Sequence, residues 1–246
     1  MTRWVLLRGL TREAGHWGGF QDRLAQQLGG RVEVFTPDLP GSGRRHGERS
    51  PASAYGLMQA VRSELPPGPP VMLLALSLGA MVALEWARVA PQEVAGAVLI
   101  NTSAGGQAPW LRLRPRNYLP LLGLLRPGAT ADERERCVLA LTSSQPLRHV
   151  GALARWVTLA HQRPVSTGNA ARQLLAAARY RAPVQPPQPP LLLLVSACDR
   201  LVSPRCSQDL ARRWNLPVRV HPWAGHDLPL DDPDWALAVI KAWVEG

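Results

Sequence analysis

Short apolar runs and amphipathic stretches alternate along the first hundred residues. Residues 4–7, 32–35, 71–76 and 94–100 are largely apolar runs of strand length, bounded by glycine, proline or polar turn residues. Between them, apolar residues recur at helical spacing over 16–28 (Trp17, Phe20, Leu24, Leu28), 52–65 and 78–89. Gly29-Gly30 closes the first helix, and the proline-rich 66–70 ends the second. From 104 to 190 the alternation stops. That stretch contains no convincing strand and about four helical patterns: 117–125, one starting at Thr130 with Glu133 three residues on as a capping box, 146–161 and 166–180. Pro183, Pro186, Pro187, Pro189 and Pro190 form a stiff return linker. Strand pattern resumes at 191–195, followed by a helix over 204–214, a strand over 218–220, and a final helix opened by Asp232-Pro233. The pattern predicts an α/β fold: a mostly parallel sheet of about six strands, helices on both faces, and an inserted all-helical cap. The expected division is a core of 1–105 and 188–246 and a cap of 106–187.

A chain of 246 residues can bury a substantial single core. No run approaches the ~18 apolar residues of a membrane span. The start Met1-Thr2-Arg3-Trp4 passes directly into strand pattern without a signal peptide's apolar region, so a cytoplasmic location is expected. Cys137, Cys198 and Cys206 are odd in number and fit no zinc spacing, and are expected to be small buried or partly buried thiols; no metal site is expected. The net charge is +10, and its location matters more than its size. Residues 107–190 hold twelve arginines against Asp132, Glu133 and Glu135, a net of +9, which leaves +1 for the rest. This is either a solvated arginine-rich surface or a surface for an acidic partner: an acyl carrier protein, an anionic substrate or an anionic membrane. Nucleic acid is not expected, because no binding motif accompanies the charge.

The candidate chemistry centres on Leu73-Leu74-Ala75-Leu76-Ser77-Leu78-Gly79-Ala80. A buried strand meets a serine between small residues and passes into a helix. This reads as a nucleophile elbow, G-x-S-x-G, with Ala75 in the first glycine position. A turn this sharp brings the residues two before and two after the serine together, so side chains there collide. Two later loops complete a constellation. The strand 191–195 runs into Ser196-Ala197-Cys198-Asp199, and Trp223-Ala224-Gly225-His226-Asp227 follows the last strand. Serine, acid and histidine in that chain order are expected on loops at the carboxyl ends of parallel strands. The imidazole takes the serine proton, and the carboxylate holds the imidazole in one tautomer. His16 and His221 compete with His226, and Asp227 and Asp231 with Asp199. Asp227, adjacent to the histidine, is expected to fix the loop or face solvent. Gly9 follows the first strand, where the Leu10 amide, with that of Leu78, can face a developing oxyanion; such donors are worth roughly 3 kcal/mol each in the transition state.

Together these features resemble the α/β-hydrolase superfamily along nearly the whole chain. Asp38-Leu39-Pro40-Gly41-Ser42-Gly43 is similar to the D-x-P-G-x-G turn after the second strand of many members, and Gly9 matches the glycine of their H-G oxyanion motif. Arg8 stands where the histidine is usual, and its side chain is expected to shape the entrance or contact substrate. The resemblance is closest to small carboxylesterases with a helical cap, including esterases that cleave pimeloyl-carrier-protein methyl esters. It implies Ser77 as nucleophile, His226 as base and Asp199 as its partner, with no cofactor and a short to medium acyl ester as substrate. Leu119, Leu121, Leu122, Leu124 and Leu125 are expected to line an acyl pocket or pack the cap. The alternatives on the same fold are a thioesterase or carrier-protein ester hydrolase using the basic cap, a lyase or acyltransferase, and a non-catalytic ligand-binding protein.

Overall fold

The computed structural model describes residues 2–30, 32–124, 126 and 128–246. Six described strands, β1 (Thr2–Leu7), β2 (Val32–Phe35), β3 (Val71–Leu76), β4 (Val94–Ile100), β5 (Leu191–Ser196) and β6 (Val218–His221), form one sheet in the order β2-β1-β3-β4-β5-β6. Every neighbouring pair is parallel, so the expected mostly parallel sheet is parallel throughout its described ladders. β3 and β5 are buried at all six positions, as befits strands covered on both faces.

The period-two alternation of the strands divides the core in two. Val5, Leu7, Leu73, Leu99 and Leu193 face one side, against α2 (Ala54–Arg62), α3 (Leu78–Val89) and α9 (Pro204–Trp214). Trp4, Leu6, Leu74, Val98 and Leu194 face the other, against α1 (Phe20–Gln27) and α11 (Pro233–Glu245). The predicted helix over 16–28 is broken: a 3-10 turn at Ala14–Trp17 precedes α1, and Gly18 at φ 57° separates them. Asp232 caps α11 by accepting a hydrogen bond from the Trp235 amide at 3.0 Å.

Between β4 and β5 the chain forms α4 (Pro109–Arg112), α5 (Tyr118–Gly123), α6 (Ala131–Thr142), α7 (Val150–Gln162) and α8 (Thr167–Arg179), with no strand among the described residues. The capping box at Thr130 forms: Thr130 Oγ1 accepts from the Glu133 amide at 3.1 Å, and Glu133 accepts from the Thr130 amide at 2.8 Å. Leu139, Leu153 and Trp156 make a small core of their own, with Leu230 of the short helix α10 (Leu228–Asp231) packed against it. The α5 leucines do not form an enclosed apolar lining. Leu119 and Leu122 are 80% and 61% exposed, and Leu125 lies outside the described residues. No described helix is long and apolar enough to cross a membrane. Of the cysteines, Cys206 is buried and its thiol is pushed up to about 12, chiefly by burial, whereas Cys198 is exposed, contrary to the expectation for it.

The end of the first strand meets the first turn of α3 at a point that tolerates no side chain. A Cβ on Gly79 would stand 2.6 Å from the Arg8 carbonyl oxygen and closer still to that of Leu7. Gly79→Ala is therefore expected to lower unfolding free energy by about 1–3 kcal/mol, measured by urea denaturation. Gly29→Ala serves as a comparison in open space, where only its positive φ of 80° matters.

Candidate active site

Ser77 caps the junction of β3 and α3 with φ 58° and ψ −117°. A non-glycine residue held there stores strain on the order of 1–3 kcal/mol, sustained only by its surroundings. The surroundings are well defined: the Ser77 amide donates to Ile100 O at 2.9 Å, and Thr102 Oγ1 donates to Ser77 O at 3.3 Å. The hydroxyl does not cap α3 and has no hydrogen-bond partner among the described residues, which leaves it free. Ala75, in the first glycine position of the elbow, is fully buried in the core on the α3 side, so its methyl is absorbed there. Gly9 abuts the serine, since a Cβ at residue 9 would lie 3.2 Å from Ser77 Cβ and 3.7 Å from its Oγ. Leu78 is the first residue of α3, where a backbone N–H has no partner within the helix. Leu10 follows Gly9 in the turn after β1, and Thr11 beyond it adopts φ 57°.

His226 and Asp199 are joined. The ring Nδ1 lies 2.7 Å from Asp199 Oδ2, with both residues buried. The other carboxylate oxygen accepts from the amides of Leu201 at 2.8 Å and Val202 at 2.9 Å, which fixes the acid. With Nδ1–H donating to the carboxylate, Nε2 is the ring nitrogen left with a lone pair. The serine is not hydrogen-bonded to this ring; the two meet through the end of β4. Ile100 O holds the Ser77 amide, while the side chain of the next residue, Asn101, donates to His226 O at 2.8 Å. The same Asn101 amide donates to Ser196 Oγ and accepts from Ser196 N at 2.8 Å, so one side chain ties the ends of β4 and β5 to the histidine loop. Asn101 is not among the site residues the sequence predicts. Its signal was an asparagine at the carboxyl end of a buried strand, a residue that tolerates the φ of 47° found there.

The competing residues are committed elsewhere. His16 accepts from the Glu13 amide at Nδ1 and contacts Arg12 at Nε2, and burial, followed by Arg12 and Arg8, holds its pKa well below the ordinary 6.5. His221 accepts from the Ala224 amide at Nδ1 and bonds Asp232 at Nε2. Asp231 accepts from Ser143 Oγ, the Ser144 and Gly225 amides and His149. Burial opposes its ionisation, but these donors, His149 first, outweigh burial and hold it below its ordinary 3.8. Arg8 departs from expectation. It is 4% exposed and does not shape an entrance; its guanidinium pairs with Asp227 through both Nη atoms and lies 4.8 Å over the Trp17 ring. Asp227 accordingly fixes its loop and does not face solvent.

The helical segment grips the same turn. Arg12 pairs with Glu135 of α6 at 2.5 Å and stacks 4.8 Å over Trp156 of α7, while Gln173 of α8 accepts from the Thr11 amide at 2.8 Å. Thr142 O accepts from the Asp227 amide at 2.9 Å, and a Cβ on Gly225 would lie 2.6 Å from that same oxygen. The arrangement as a whole offers a serine hydroxyl free of partners among the described residues, with Gly9 lying against it, and an oriented imidazole with a buried carboxylate behind it. That set suits acyl transfer.

Comparison with known proteins agrees with this fold. Residues 4–239 match the model described as the alpha/beta hydrolase family. The chain is 26% identical over 245 residues to a pimeloyl-[acyl-carrier protein] methyl ester esterase of Serratia marcescens, covering 98% of this chain and 92% of that one. It is 30% identical over 203 residues to the esterase of that name from Sodalis glossinidius (strain morsitans), covering 80% and 76%. Among solved structures, a thermophilic esterase from Thermogutta terrifontis superposes with a TM-score of 0.76 at 23% identity, covering 100% of this chain and 90% of that one, a likeness of fold.

Asp231→Asn is expected to cost about 2–3 kcal/mol at neutral pH, since it weakens hydrogen bonds to a buried charge. A depressed carboxylate contributes stability above its unfolded pKa and loses it as pH falls through the folded one. The gap between wild type and variant in denaturant unfolding should therefore be full above roughly pH 5 and narrow as pH falls below 3.8, through the lowered folded pKa.

Proposed function

Because the chain belongs to the alpha/beta hydrolase family, and is a carboxylesterase-type hydrolase, we propose that it cleaves short to medium acyl esters through an acyl-enzyme on Ser77. The observation that carries the reading is the 2.7 Å bond from His226 to buried Asp199, in a loop tied by Asn101 to the end of β4, whose Ile100 carbonyl accepts from the Ser77 amide. Ser77 Oγ attacks the ester carbonyl carbon while His226 Nε2 takes its proton; Asp199 stabilises the imidazolium. The carbonyl oxygen becomes an oxyanion facing the Leu10 and Leu78 amides. Collapse breaks the bond to the alkoxy group, which leaves as the alcohol with the proton from His226. Water, deprotonated by His226, then attacks the acyl-serine and releases the acid with Ser77 restored. Every proton is carried by groups of this chain and by water, so the steps call for no metal or organic cofactor.

The strain at Ser77 has a use in this reading: it presents the hydroxyl above the sheet instead of spending it as a helix cap. Residues 106–187 would serve as a cap over the site, supported by the contacts of α6, α7 and α8 with the turn after β1 and of Thr142 with the histidine loop.

A second reading concerns what the ester is attached to. Arg116, Arg148, Arg155, Arg179 and Arg181 are exposed and have no carboxylate partner among the described residues. With a net of +9 over 107–190 and relatives named for a carrier-protein ester, this favours an acidic carrier protein as the bearer of the acyl chain.

A panel of chromogenic esters from acetate to decanoate tests the first reading. Turnover should peak at short to medium chains and fall by at least about 10³-fold in Ser77→Ala; comparable turnover in that variant would reject the nucleophile. For the second, Arg148→Glu/Arg155→Glu should raise KM for a carrier-bound ester about tenfold or more, with small-ester kinetics unchanged. Equal effects on both substrates would remove the carrier from the account.

A further inference from the structure

We propose that Arg8 and Asp227 form a clasp that sets where His226 sits, and the charge it feels, relative to the oxyanion turn; both are positioning residues for the hydrolysis proposed above, on which this rests.

The sheet order explains why a clasp is needed. β1 and β6 are separated by β3, β4 and β5. At about 4.8 Å per strand, their ends stand roughly 19 Å apart. No ladder hydrogen bond can hold the loop after β6 to the turn after β1, yet the base comes from one and a proposed oxyanion donor from the other. Arg8 immediately precedes Gly9, and Asp227 immediately follows His226. Their side chains close the distance across 219 residues of sequence.

The form of the contact matters. Both residues are almost fully buried, Arg8 at 4% and Asp227 at 3% exposure. A buried ion pair adds little stability over well-packed apolar groups, so stability alone is a weak reason for placing one here. What a guanidinium and a carboxylate add is orientation. Two nearly parallel contacts, Nη1 to Oδ1 at 3.2 Å and Nη2 to Oδ2, permit one relative placement. The Trp17 ring, 4.8 Å from the guanidinium carbon, backs the fork on one face. The segment 226–227 is then pinned at three points: His226 O by Asn101, the Asp227 amide by Thr142 O, and the Asp227 side chain by Arg8. Removing Arg8 frees the last of these.

The clasp also has an electrostatic side. Asp227 places a carboxylate one residue from the ring, and Arg8 compensates it. The other charged and titratable groups facing this loop are Asp199 on the ring itself, Asp231 under Gly225 with its partner His149, His221 under Ala224 with its partner Asp232, and Arg12 with neutral His16 on the far side of the turn. None of these changes when only the clasp is altered. Losing one member of the pair should therefore move the ionisation of His226 in a direction set by the charge that stays behind.

The test uses Asp227→Asn, Arg8→Gln, the double variant Arg8→Gln/Asp227→Asn, and Arg8→Lys. Two readouts are followed: the pH midpoint of the His226 ring by NMR, and kcat and KM on a small chromogenic ester. Asp227→Asn leaves a lone guanidinium and should move the midpoint to lower pH. Arg8→Gln leaves a lone carboxylate and should move it to higher pH, each by about half a pH unit or more. The double variant should return it to the wild-type value. Each single variant should lose about tenfold or more in kcat with KM within about threefold, as expected when a reacting group is misplaced and binding is spared. Arg8→Lys keeps the charge and loses the fork, so it should keep the midpoint and still lose kcat. Midpoints that move in the same direction, or not at all, overturn the electrostatic half; wild-type kcat in Arg8→Lys overturns the positioning half. If one of the two charge-changing variants does not fold, the shift or constancy of the midpoint in the other decides the electrostatic half, and Arg8→Lys decides the positioning half. The ring titration needs no turnover, so an absence of esterase activity in wild type would reject the hydrolase reading while leaving the clasp testable.

Discussion

The turn at Ser77 exists because the chain leaves no side chain at residues 9 and 79. Gly79 lets the first turn of α3 rest against the carbonyl groups at the end of β1, and Gly9 lets the following loop lie against the serine side chain. The unfavourable backbone of Ser77 is held by this double contact and by hydrogen bonds to Ile100 and Thr102 at the end of β4. Three strand ends are thereby locked together at the carboxyl edge of a parallel sheet, beside the point where the chain steps from one side of β1 to the other, which is where such sheets form their crevices. Everything proposed for the chemistry assumes this local packing.

Around that turn the structure relies on buried polar groups as well as apolar packing. Asn101 joins the ends of two strands to the histidine loop. Asp231 gathers donors from that loop and from the segment after α6. Arg12 and Glu13 carry ion pairs to Glu135 and Arg163 in the helical segment. Apolar packing within each sheet face explains why the layers adhere, but it is indifferent to small sliding of one loop past another. Directional bonds between loops from distant parts of the chain remove that freedom. The helical segment and the sheet thus meet through specific contacts at the candidate site, in addition to the small apolar cluster around Trp156.

Much of this was legible in the amino-acid order, and the reasons differ by element. β3 and β5 announce themselves because a doubly covered parallel strand is apolar at every position. The pairing of His226 with Asp199 was legible because each follows a strand, on a loop, in the chain order this kind of fold imposes. Arg8 with Asp227 was not, since nothing local marks a contact between residues 219 apart; an arginine in place of the usual histidine showed only that the position was unusual. Asn101 was missed because a polar residue after a strand looks the same whether it starts a loop or bridges two. The α5 leucines misled for the opposite reason: apolar composition suggested a lining, whereas Leu119 and Leu122 point outward. The short helix α10 carries only four residues, too few for periodicity to reveal.

The hydrolysis proposed here needs Ser77 to be a nucleophile activated by His226. Reaction with a fluorophosphonate, followed by intact mass and peptide mapping, tests it without reference to any natural substrate. One phosphonyl group, located on Ser77, is expected, with labelling slowed by orders of magnitude in His226→Ala. Labelling of another residue, or labelling of Ser77 that proceeds equally fast without the imidazole, would contradict it.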